Sequence, residues 1–379
     1  MKIIKKLLKW VAITITAIVI LLYVFDYGYV LRGVRVVYLT GHNSAFIDDY
    51  PYFENDTIKK GMTSDEWPLH KNYNLNTPTE ALTSTNNDLG TVAFLIIKND
   101  SILYEWYAED YSKNSKTNSF SMAKSITSSL LGKAIMDGYI KSLDQPISDF
   151  YEEFVGTETT VGDLSSMSSG LDWVESYSSP FSITARANYD DDLAETILNL
   201  KVIKTPGKEF EYLSGSTQLL GMIIQKASDI PLAEYLSQSF WRPLGASDDA
   251  LWQLDDSDNR LAKTFCCISS NARDFSRFGK LYKDHGRWNG KQILDSTFVS
   301  KATKSRFEGE PYGYGLWISD YKGKAIFLMR GILGQYVITI PEDNLIVTRL
   351  GHHRSEILVD DFPTDFYIYI DEAYKMLEQ

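Results

Sequence analysis

The sequence predicts an α+β fold in which both ends of the chain contribute strands to one antiparallel sheet, with a helical region between them. Strand patterns lie near residue 91 and again after residue 325, whereas the stretch between them has apolar residues at helical spacing. A single N-terminal transmembrane helix is predicted to precede this fold. The 379 residues, 44% hydrophobic and 23% charged, have the composition of a globular protein.

The composition excludes several classes of function. The chain contains 38 Lys+Arg and 50 Asp+Glu residues, and its formal net charge of −12 argues against a nucleic-acid partner. The histidines and cysteines show no metal-ligand spacing, and no phosphate-binding loop, dinucleotide-binding motif or H-E-x-x-H motif is present. We therefore expect no metal and no cofactor. The adjacent Cys266 and Cys267 are predicted to be buried and unbridged, because a neighbouring pair is too constrained to bridge easily.

Residues 1–33 are predicted to be an uncleaved signal anchor. Four lysines precede an uncharged run from Trp10 to Phe25, and flanking apolar residues extend this run to the length that spans a bilayer. Positive charge before the run keeps the N-terminus in the cytoplasm and places the rest of the chain in a periplasm or outside the cell. A cleavable signal peptide is the alternative, but no small-residue cleavage site follows the run.

The remaining chain is predicted to have two parts. Residues 34–90 show no sustained period and include an Asn- and Thr-rich stretch, which indicates a stalk or a covering extension. Residues 91–379 form the predicted domain, which begins with two strands joined at Asn99-Asp100 and a helix that Gly138 ends. Three late strands and a closing helix end the domain, and further helices are predicted at 160–167, 192–201, 215–228, 231–239, 271–284 and 296–304.

One S-x-x-K pattern lies at the start of a predicted helix. Ser121 and Lys124 share a helix face at this spacing, so the lysine amine can reach the serine hydroxyl. The N–H groups at the helix start favour the negative charge that develops during attack on a carbonyl. A serine needs a neighbouring base to become a nucleophile, and the lysine supplies a candidate. The pattern recurs at Ser319 and Lys322, where no helix is predicted to stack the two side chains.

Two later segments supply the other parts of a candidate site. A loop before the helix at 215–228 presents Tyr212, which can act as general base for the serine and then as acid for a leaving group. A strand ends near Gly331, where the missing side chain lets a ligand approach the backbone. The next N–H, that of Ile332, can form an oxyanion hole together with the N–H of Ser121.

The S-x-x-K helix, the Y-x-S loop that ends at Ser214 and the glycine-bearing strand, in this order, resemble the serine β-lactamase and penicillin-binding-protein superfamily. The class C-like branch is the better match, because residues 163–171, 206–214 and 271–279 resemble its DLLxMxSGL, PGxxFxYxS and ARDxxRFG segments. Residues 331–335, GILGQ, are closest to the 6-aminohexanoate-dimer (nylon oligomer) hydrolase subgroup. The resemblance covers the chain from about residue 91 to its C-terminus.

This resemblance implies a β-lactamase/transpeptidase-like fold and a metal-free serine mechanism. It implies Ser121 as nucleophile, Lys124 as its activating partner and Tyr212 as proton shuttle. The N–H groups of Ser121 and Ile332 would hold the oxyanion. The substrate-contacting residues that it implies are Ser214, Gly331 and Tyr177.

The third motif departs from the family pattern. β-Lactamases have K-T-G and many relatives have H-x-G where this chain has Met329-Arg330-Gly331. Because adjacent strand residues face opposite sides, we expect Arg330 to point away from the site. The departure disfavours recognition of a β-lactam or a peptide carboxylate, and Ser214 in place of asparagine disfavours it further.

The leading interpretation is a membrane-anchored serine hydrolase that cleaves an ester or a linear amide through an acyl-enzyme on Ser121. Its partners would be a small-molecule ester or amide and the membrane that holds its N-terminal helix. One alternative is a penicillin-binding D-alanyl-D-alanine carboxypeptidase or weak β-lactamase that acts on cell-wall peptide. The other is a non-catalytic wall-binding module that keeps the fold.

Overall fold

The computed structural model describes residues 1–379 and contains α-helices and β-strands in alternating groups. The helices are α1 (Lys2–Val24), α2 (Gly28–Val36), α3 (Glu80–Asp88), α4 (Met122–Met136), α5 (Val161–Ser165), α6 (Ile183–Tyr189), α7 (Leu193–Leu198), α8 (Ser214–Ser228), α9 (Leu232–Leu236), α10 (Ala272–Lys283), α11 (Ser296–Ala302) and α12 (Thr364–Leu377). The strands are β1 (Asn55–Ile58), β2 (Thr91–Lys98), β3 (Ser101–Tyr107), β4 (Thr117–Asn118), β5 (Ala250–Gln253), β6 (Ile268–Ser270), β7 (Arg287–Trp288), β8 (Lys291–Gln292), β9 (Trp317–Ser319), β10 (Ile326–Gly331), β11 (Gln335–Ile340), β12 (Leu345–Gly351), β13 (Leu358–Val359) and β14 (Phe362–Pro363).

The main sheet has six antiparallel strands in the order β3-β2-β12-β11-β10-β9. Strands β2 and β12 pair along their whole length, from Leu345 opposite Lys98 to Gly351 opposite Thr91, so the two ends of the domain meet at the centre of the sheet. All but the last residue of β2 is buried, because helices cover both faces of the sheet. The predicted α+β fold is confirmed.

The two faces of the sheet have separate apolar cores. Phe94 and Ile96 of β2 face the core under α12, which also contains Tyr369 and Ile370. The alternate residues of the same strand face α10 and α4 in the larger core. This division follows from the two-residue period of a strand, and it fixes which strand residues can reach α4.

A second sheet, in the order β1-β5-β6-β4, lies beside the helical region and leads into α4. Its strand β4 ends at Asn118, three residues before Ser121, and pairs with β6 through Ser269 and Ser270. Helices α4 and α8 pack against each other, with Ile126 and Leu130 on α4 and Leu219 and Ile223 on α8 fully buried. The start of α4 therefore lies between the two sheets.

Residues 34–90 form several contacts with the rest of the chain, and we call this segment the covering extension. Strand β1 pairs with β5, and the backbone N–H of Asn118 donates to the carbonyl of Ile47 over 2.7 Å. Ile47, Ile58 and Leu82 have no exposed surface. Most of this segment has no regular secondary structure, which is why its sequence shows no period, and these contacts hold it in place.

Helix α1 has 23 residues and a mean hydropathy of 2.3, and none of its residues is buried against the domain. It is long and apolar enough to cross a membrane, and an N-terminal signal sequence would have the same properties.

The prediction for the two cysteines was correct on burial and wrong on bonding. Cys266 and Cys267 are buried, with 6% and 3% of their surface exposed, but their sulfur atoms are joined in a disulfide between neighbours. The backbone of Cys267 has a positive φ of 76°, a conformation that side-chain-bearing residues rarely adopt. The sequence argument assumed ordinary backbone geometry at this turn.

Candidate active site

Ser121 follows a turn that the chain holds in an unusual conformation. Phe120, the residue before it, has a φ of 44°, and its N–H donates to the side-chain oxygen of Asn118 over 2.8 Å. Positive φ at a bulky residue is strained and persists only where the surroundings enforce it. Ser121 is the cap residue of α4, and its own N–H has no acceptor within the chain. The turn thus presents both the hydroxyl and a free N–H at a helix start.

Lys124 is buried directly behind Ser121. Its Nζ donates to Ser121 Oγ over 3.0 Å and to the carbonyl oxygen of Phe265 over 2.8 Å, and only 2% of the residue is exposed. The rings of Phe265 and Tyr212 lie 5.9 and 5.0 Å from the same nitrogen. Both hydrogen-bond partners are neutral oxygens, so the amine is not committed to a carboxylate. This arrangement can pass a proton between the serine and the lysine.

Tyr212 lies on the opposite side of the lysine amine, on the loop that precedes α8. Its ring packs against Trp317 at 5.4 Å and against Tyr312 at 6.0 Å. The aromatic packing fixes the ring, while the hydroxyl makes no hydrogen bond within the chain. The structure therefore places Lys124 against both Ser121 and the ring of Tyr212. The catalytic roles of the three residues stay a prediction.

Glu175 is a site residue that the sequence analysis missed. Its carboxylate accepts the N–H of Ser214 over 2.7 Å and the hydroxyl of Ser214 over 2.8 Å. It also accepts the indole N–H of Trp173 over 2.8 Å and the hydroxyl of Tyr177. Four donors from three residues thus converge on one carboxylate at the start of α8. No local pattern indicated Glu175, because it lies on an irregular loop and two of its four hydrogen bonds come from Ser214, 39 residues later in the chain.

The two predicted substrate contacts that bind Glu175 differ in exposure. Ser214 is 1% exposed and its hydroxyl is already engaged, so substrate contact through this side chain stays a prediction. Tyr177 is 60% exposed at the edge of the site, with only its hydroxyl turned inward. Desolvation of that hydroxyl, together with the Glu175 charge, raises the pKa of Tyr177 far above its ordinary value. Tyr177 therefore remains a neutral donor to Glu175.

The end of β10 forms the other wall of the site. A Cβ added at Gly331 would collide with the carbonyl oxygen of Ser119, so the strand approaches the turn before Ser121 as closely as glycine permits. The N–H of Ile332 follows directly after Gly331. An oxyanion hole formed by the N–H groups of Ile332 and Ser121 stays a prediction.

The side chains before Gly331 alternate across the sheet. Met329 lies in the core on the α4 side. Arg330 lies on the other side, where its guanidinium stacks 3.4 Å from the ring centre of Trp317 and donates to the carbonyl of Asp361 over 2.8 Å. Trp317 also packs against Tyr212, so Arg330 is separated from the tyrosine by one indole ring.

The sheet, the helical region and the serine-lysine-tyrosine cluster between them define the serine β-lactamase and penicillin-binding-protein superfamily as the class of this protein. Within it, the Beta-lactamase family model matches residues 60–361. The chain belongs to the Beta-lactamase family, a family of hydrolases, and the resemblance that the sequence motifs indicated is confirmed.

Comparison with individual proteins agrees with this family. The chain is 27% identical over 222 residues to the 6-aminohexanoate-dimer hydrolase of Paenarthrobacter ureafaciens, a match over 55% of this chain and 56% of that protein. It thus spans little more than half the length of that relative. A Bacillus anthracis structure assigned as a 6-aminohexanoate-dimer hydrolase superposes with a TM-score of 0.75 at 20% identity, covering 88% of this chain and 92% of the other. A penicillin-binding protein from Bacillus halodurans superposes with a TM-score of 0.60 at 15% identity, covering 78% and 99%.

Proposed function

We propose that this protein is a membrane-anchored serine hydrolase that cleaves an ester or a linear amide through an acyl-enzyme on Ser121. The observation that carries the proposal is the 3.0 Å contact between Ser121 Oγ and the buried amine of Lys124. The amine has no carboxylate partner, and the ring of Tyr212, whose hydroxyl has no protein partner, has its centre 5.0 Å from it. Helix α1 supplies the anchor, with the N-terminus in the cytoplasm and the domain outside it.

Acylation uses three groups. Ser121 Oγ bonds to the substrate carbonyl carbon while its proton passes to Lys124 Nζ. The negative charge that develops on the carbonyl oxygen is held by the N–H groups of Ser121 and Ile332. The bond to the leaving group then breaks, and the leaving alcohol or amine takes a proton from the hydroxyl of Tyr212. The proton on Lys124 restores that hydroxyl.

Deacylation repeats these steps with water. A water molecule gives one proton to the Tyr212–Lys124 pair as its oxygen bonds to the acyl carbon. The same N–H groups stabilise the second oxyanion. The bond to Ser121 Oγ breaks, the proton returns to the serine, and a carboxylic acid leaves. Every proton is passed between groups that the structure holds in one cluster.

The end of β10 and Glu175 favour esters and linear amides over β-lactams and carboxyl-terminal peptides. Met329 stands where a basic residue would recognise a substrate carboxylate, and the guanidinium of Arg330 is already stacked on Trp317. Glu175 adds a negative charge near the substrate edge, which disfavours an anionic group there. A D-alanyl-D-alanine carboxypeptidase would need the opposite charge pattern.

A fluorophosphonate tests the proposal, because it phosphonylates only an activated serine. The full-length protein in detergent is treated with the reagent and its intact mass is measured. We expect a single adduct on the wild type and none on Ser121→Ala. Ser319→Ala is the matched control, since it removes the serine of the other S-x-x-K pattern, and it should keep the adduct. A folded wild-type protein that forms no adduct would favour the non-catalytic alternative.

A further inference from the structure

Four exposed apolar side chains lie around the mouth of the site, and we call them the apolar rim: Val174, Tyr177, Phe181 and Ile203. Between 58% and 68% of each residue is open to solvent. Single apolar residues are common on protein surfaces, whereas a group of them beside a functional site marks a surface that binds something. The question is what covers the rim.

Two of these side chains face the same side of a short pair of extended segments. Leu171 and Val202 are bridged in antiparallel fashion, and the N–H of Ile203 donates to the carbonyl of Gly170 over 2.8 Å. Residues 171 and 173 point inward and are buried, so residues 172 and 174 point outward, as does Ile203 on the paired segment. Val174 and Ile203 therefore belong to one outer surface.

The rim is connected to the candidate catalytic residues through Glu175. Tyr177 donates to the same carboxylate that accepts both donors of Ser214, at the start of α8. Tyr212 precedes Ser214 by two residues. The rim and the loop that carries Tyr212 are therefore linked through one carboxylate.

The rim also touches the end of the candidate membrane span. Phe181 packs edge-on against Tyr27 with 5.4 Å between ring centres, and Tyr27 follows the last residue of α1 by three positions. Arg186 of α6 fixes this junction, because its guanidinium pairs with Asp26 over 2.7 Å and lies 4.8 Å from the ring centre of Tyr29. Phe181 is therefore held at the level where α1 would leave a bilayer.

The surface next to this junction has the residue types of a lipid–water boundary. A cleft of about 520 Å³ lies there, lined by the tyrosines Tyr23, Tyr29 and Tyr189, the cations Arg32 and Arg35, and the acidic residues Asp26, Asp190 and Asp191. At the end of a membrane span, a tyrosine ring lies among the lipid headgroups and an arginine lies near the lipid phosphates. Lys201 adds an exposed cation on the same outer surface as Ile203, although the chain as a whole is acidic.

We propose that the apolar rim rests on the bilayer that α1 spans, so that the mouth of the site opens at the lipid–water boundary. The substrate would then be an amphiphile whose alkyl or acyl part stays in the lipid while its ester or amide group reaches Ser121. The placement of the rim needs only the membrane helix, whereas the substrate class rests on the proposed function.

An environment-sensitive fluorophore tests the placement without any activity. The full-length protein is reconstituted in vesicles of phosphatidylcholine and phosphatidylglycerol, with a nitrobenzoxadiazole label on Ile203→Cys. The native cysteines are buried in a disulfide and do not compete for the label. Val155→Cys is the matched control, since Val155 is 71% exposed and lies outside the rim. We expect blue-shifted emission and quenching by spin-labelled lipid at position 203 but not at 155. Equal, water-like emission at both positions would overturn the proposal.

A second experiment tests the substrate class. The double variant Phe181→Ser, Ile203→Ser should hydrolyse a short water-soluble ester as the wild type does. Its rate on a long-chain ester embedded in the same vesicles should fall by about tenfold, because the variant lacks two apolar side chains that the bilayer would bury. An unchanged rate on the embedded ester would overturn the substrate class. If the wild type hydrolyses neither ester, the proposed function fails, and the fluorophore still decides the placement.

Discussion

The chain contains the tetrapeptide pattern S-x-x-K twice, and the two copies have different surroundings. In the first copy, Lys124 is buried and its amine contacts Ser121 Oγ at 3.0 Å. In the second copy, Ser319 ends strand β9 and its hydroxyl accepts the N–H of Tyr321 over 3.2 Å. Lys322 is turned away and pairs with Asp371 at 2.7 Å. The second pair therefore shares no contact between serine and lysine.

The difference shows that the surroundings of an S-x-x-K pattern decide whether its lysine can act as a base. The Asp371 carboxylate raises the pKa of Lys322 and holds it as a solvated cation that cannot act as a base. Lys124 has carbonyl and hydroxyl oxygens as partners instead, within a layer of aromatic rings. A helix start supplies the face and the free N–H in the first copy, and a strand end supplies neither in the second.

The largest expected effect comes from removing the lysine of each copy. Lys124→Ala should lower kcat/KM for an activated ester by roughly 10²- to 10⁴-fold, the range for loss of a general base. Lys322→Ala should leave kcat/KM unchanged, because the exposed ion pair that it breaks is worth little. Thermal unfolding of both variants serves as the folding control. Equal losses in the two variants would show that the first copy has no special role.

The next test concerns Tyr212. A tyrosine, Tyr321, also lies beside Lys322, but its hydroxyl is engaged by Asp371, whereas the hydroxyl of Tyr212 has no partner in the chain. Tyr212→Phe keeps the ring packing on Trp317 and removes only the hydroxyl, so folding should be unaffected while kcat falls by roughly 10²-fold or more. Tyr177→Phe removes a hydroxyl that donates to Glu175, farther from the amine, and should change KM more than kcat. Steady-state kinetics on one ester separates the two variants. A fully active Tyr212→Phe would move the proton shuttle to another group.

The third test concerns Glu175, whose hydrogen bonds to Ser214 position the loop that carries Tyr212. Glu175→Gln removes the charge and replaces one acceptor oxygen with an N–H₂ group. The hydroxyls of Ser214 and Tyr177, which share one carboxylate oxygen, must then accept instead of donate or lose their bonds. We expect kcat to fall by about tenfold. Glu211→Gln is the matched control, since Glu211 adjoins Tyr212 and forms only an exposed pair with Lys204. Equal activity of the two variants would remove Glu175 from the site.

The sequence was sufficient for the sheet, the helix that carries Ser121 and the identity of the superfamily, because these depend on local periods and ordered motifs. It could not provide Glu175, since a carboxylate on an irregular loop has no period and its partners lie elsewhere in the chain. It also missed the disulfide at Cys266 and Cys267, which depends on a backbone conformation rather than on residue type. The sequence also did not predict how residues 34–90 pack, because those contacts join segments that are far apart in the chain.

The turn before Ser121 is the last feature that the second copy lacks, and it depends on a buried carboxyl in the covering extension. Asp49 accepts the side-chain amide of Asn118 over 2.9 Å and that of Gln253 over 2.8 Å, and Asn118 in turn accepts the N–H of Phe120. Burial raises the pKa of Asp49 from 3.8 to about 7. The fold therefore binds this proton more tightly than the unfolded chain does. The stability that this contributes is complete below pH 3.8 and is lost as the pH rises through about 7.

Asp49→Asn should remove that pH dependence, because an amide does not titrate. We expect the free energy of unfolding of the wild type to fall relative to the variant by about 1 to 4 kcal/mol across this window. Denaturant unfolding of both proteins at a series of pH values measures the difference, and any constant offset from the altered hydrogen bonds cancels. Lys263, whose pKa burial lowers to about 7, contributes above this window and with the opposite sign. Parallel curves for the two proteins would mean that Asp49 is ionised in the fold, and the turn before Ser121 would then be held by a charged group rather than a neutral one.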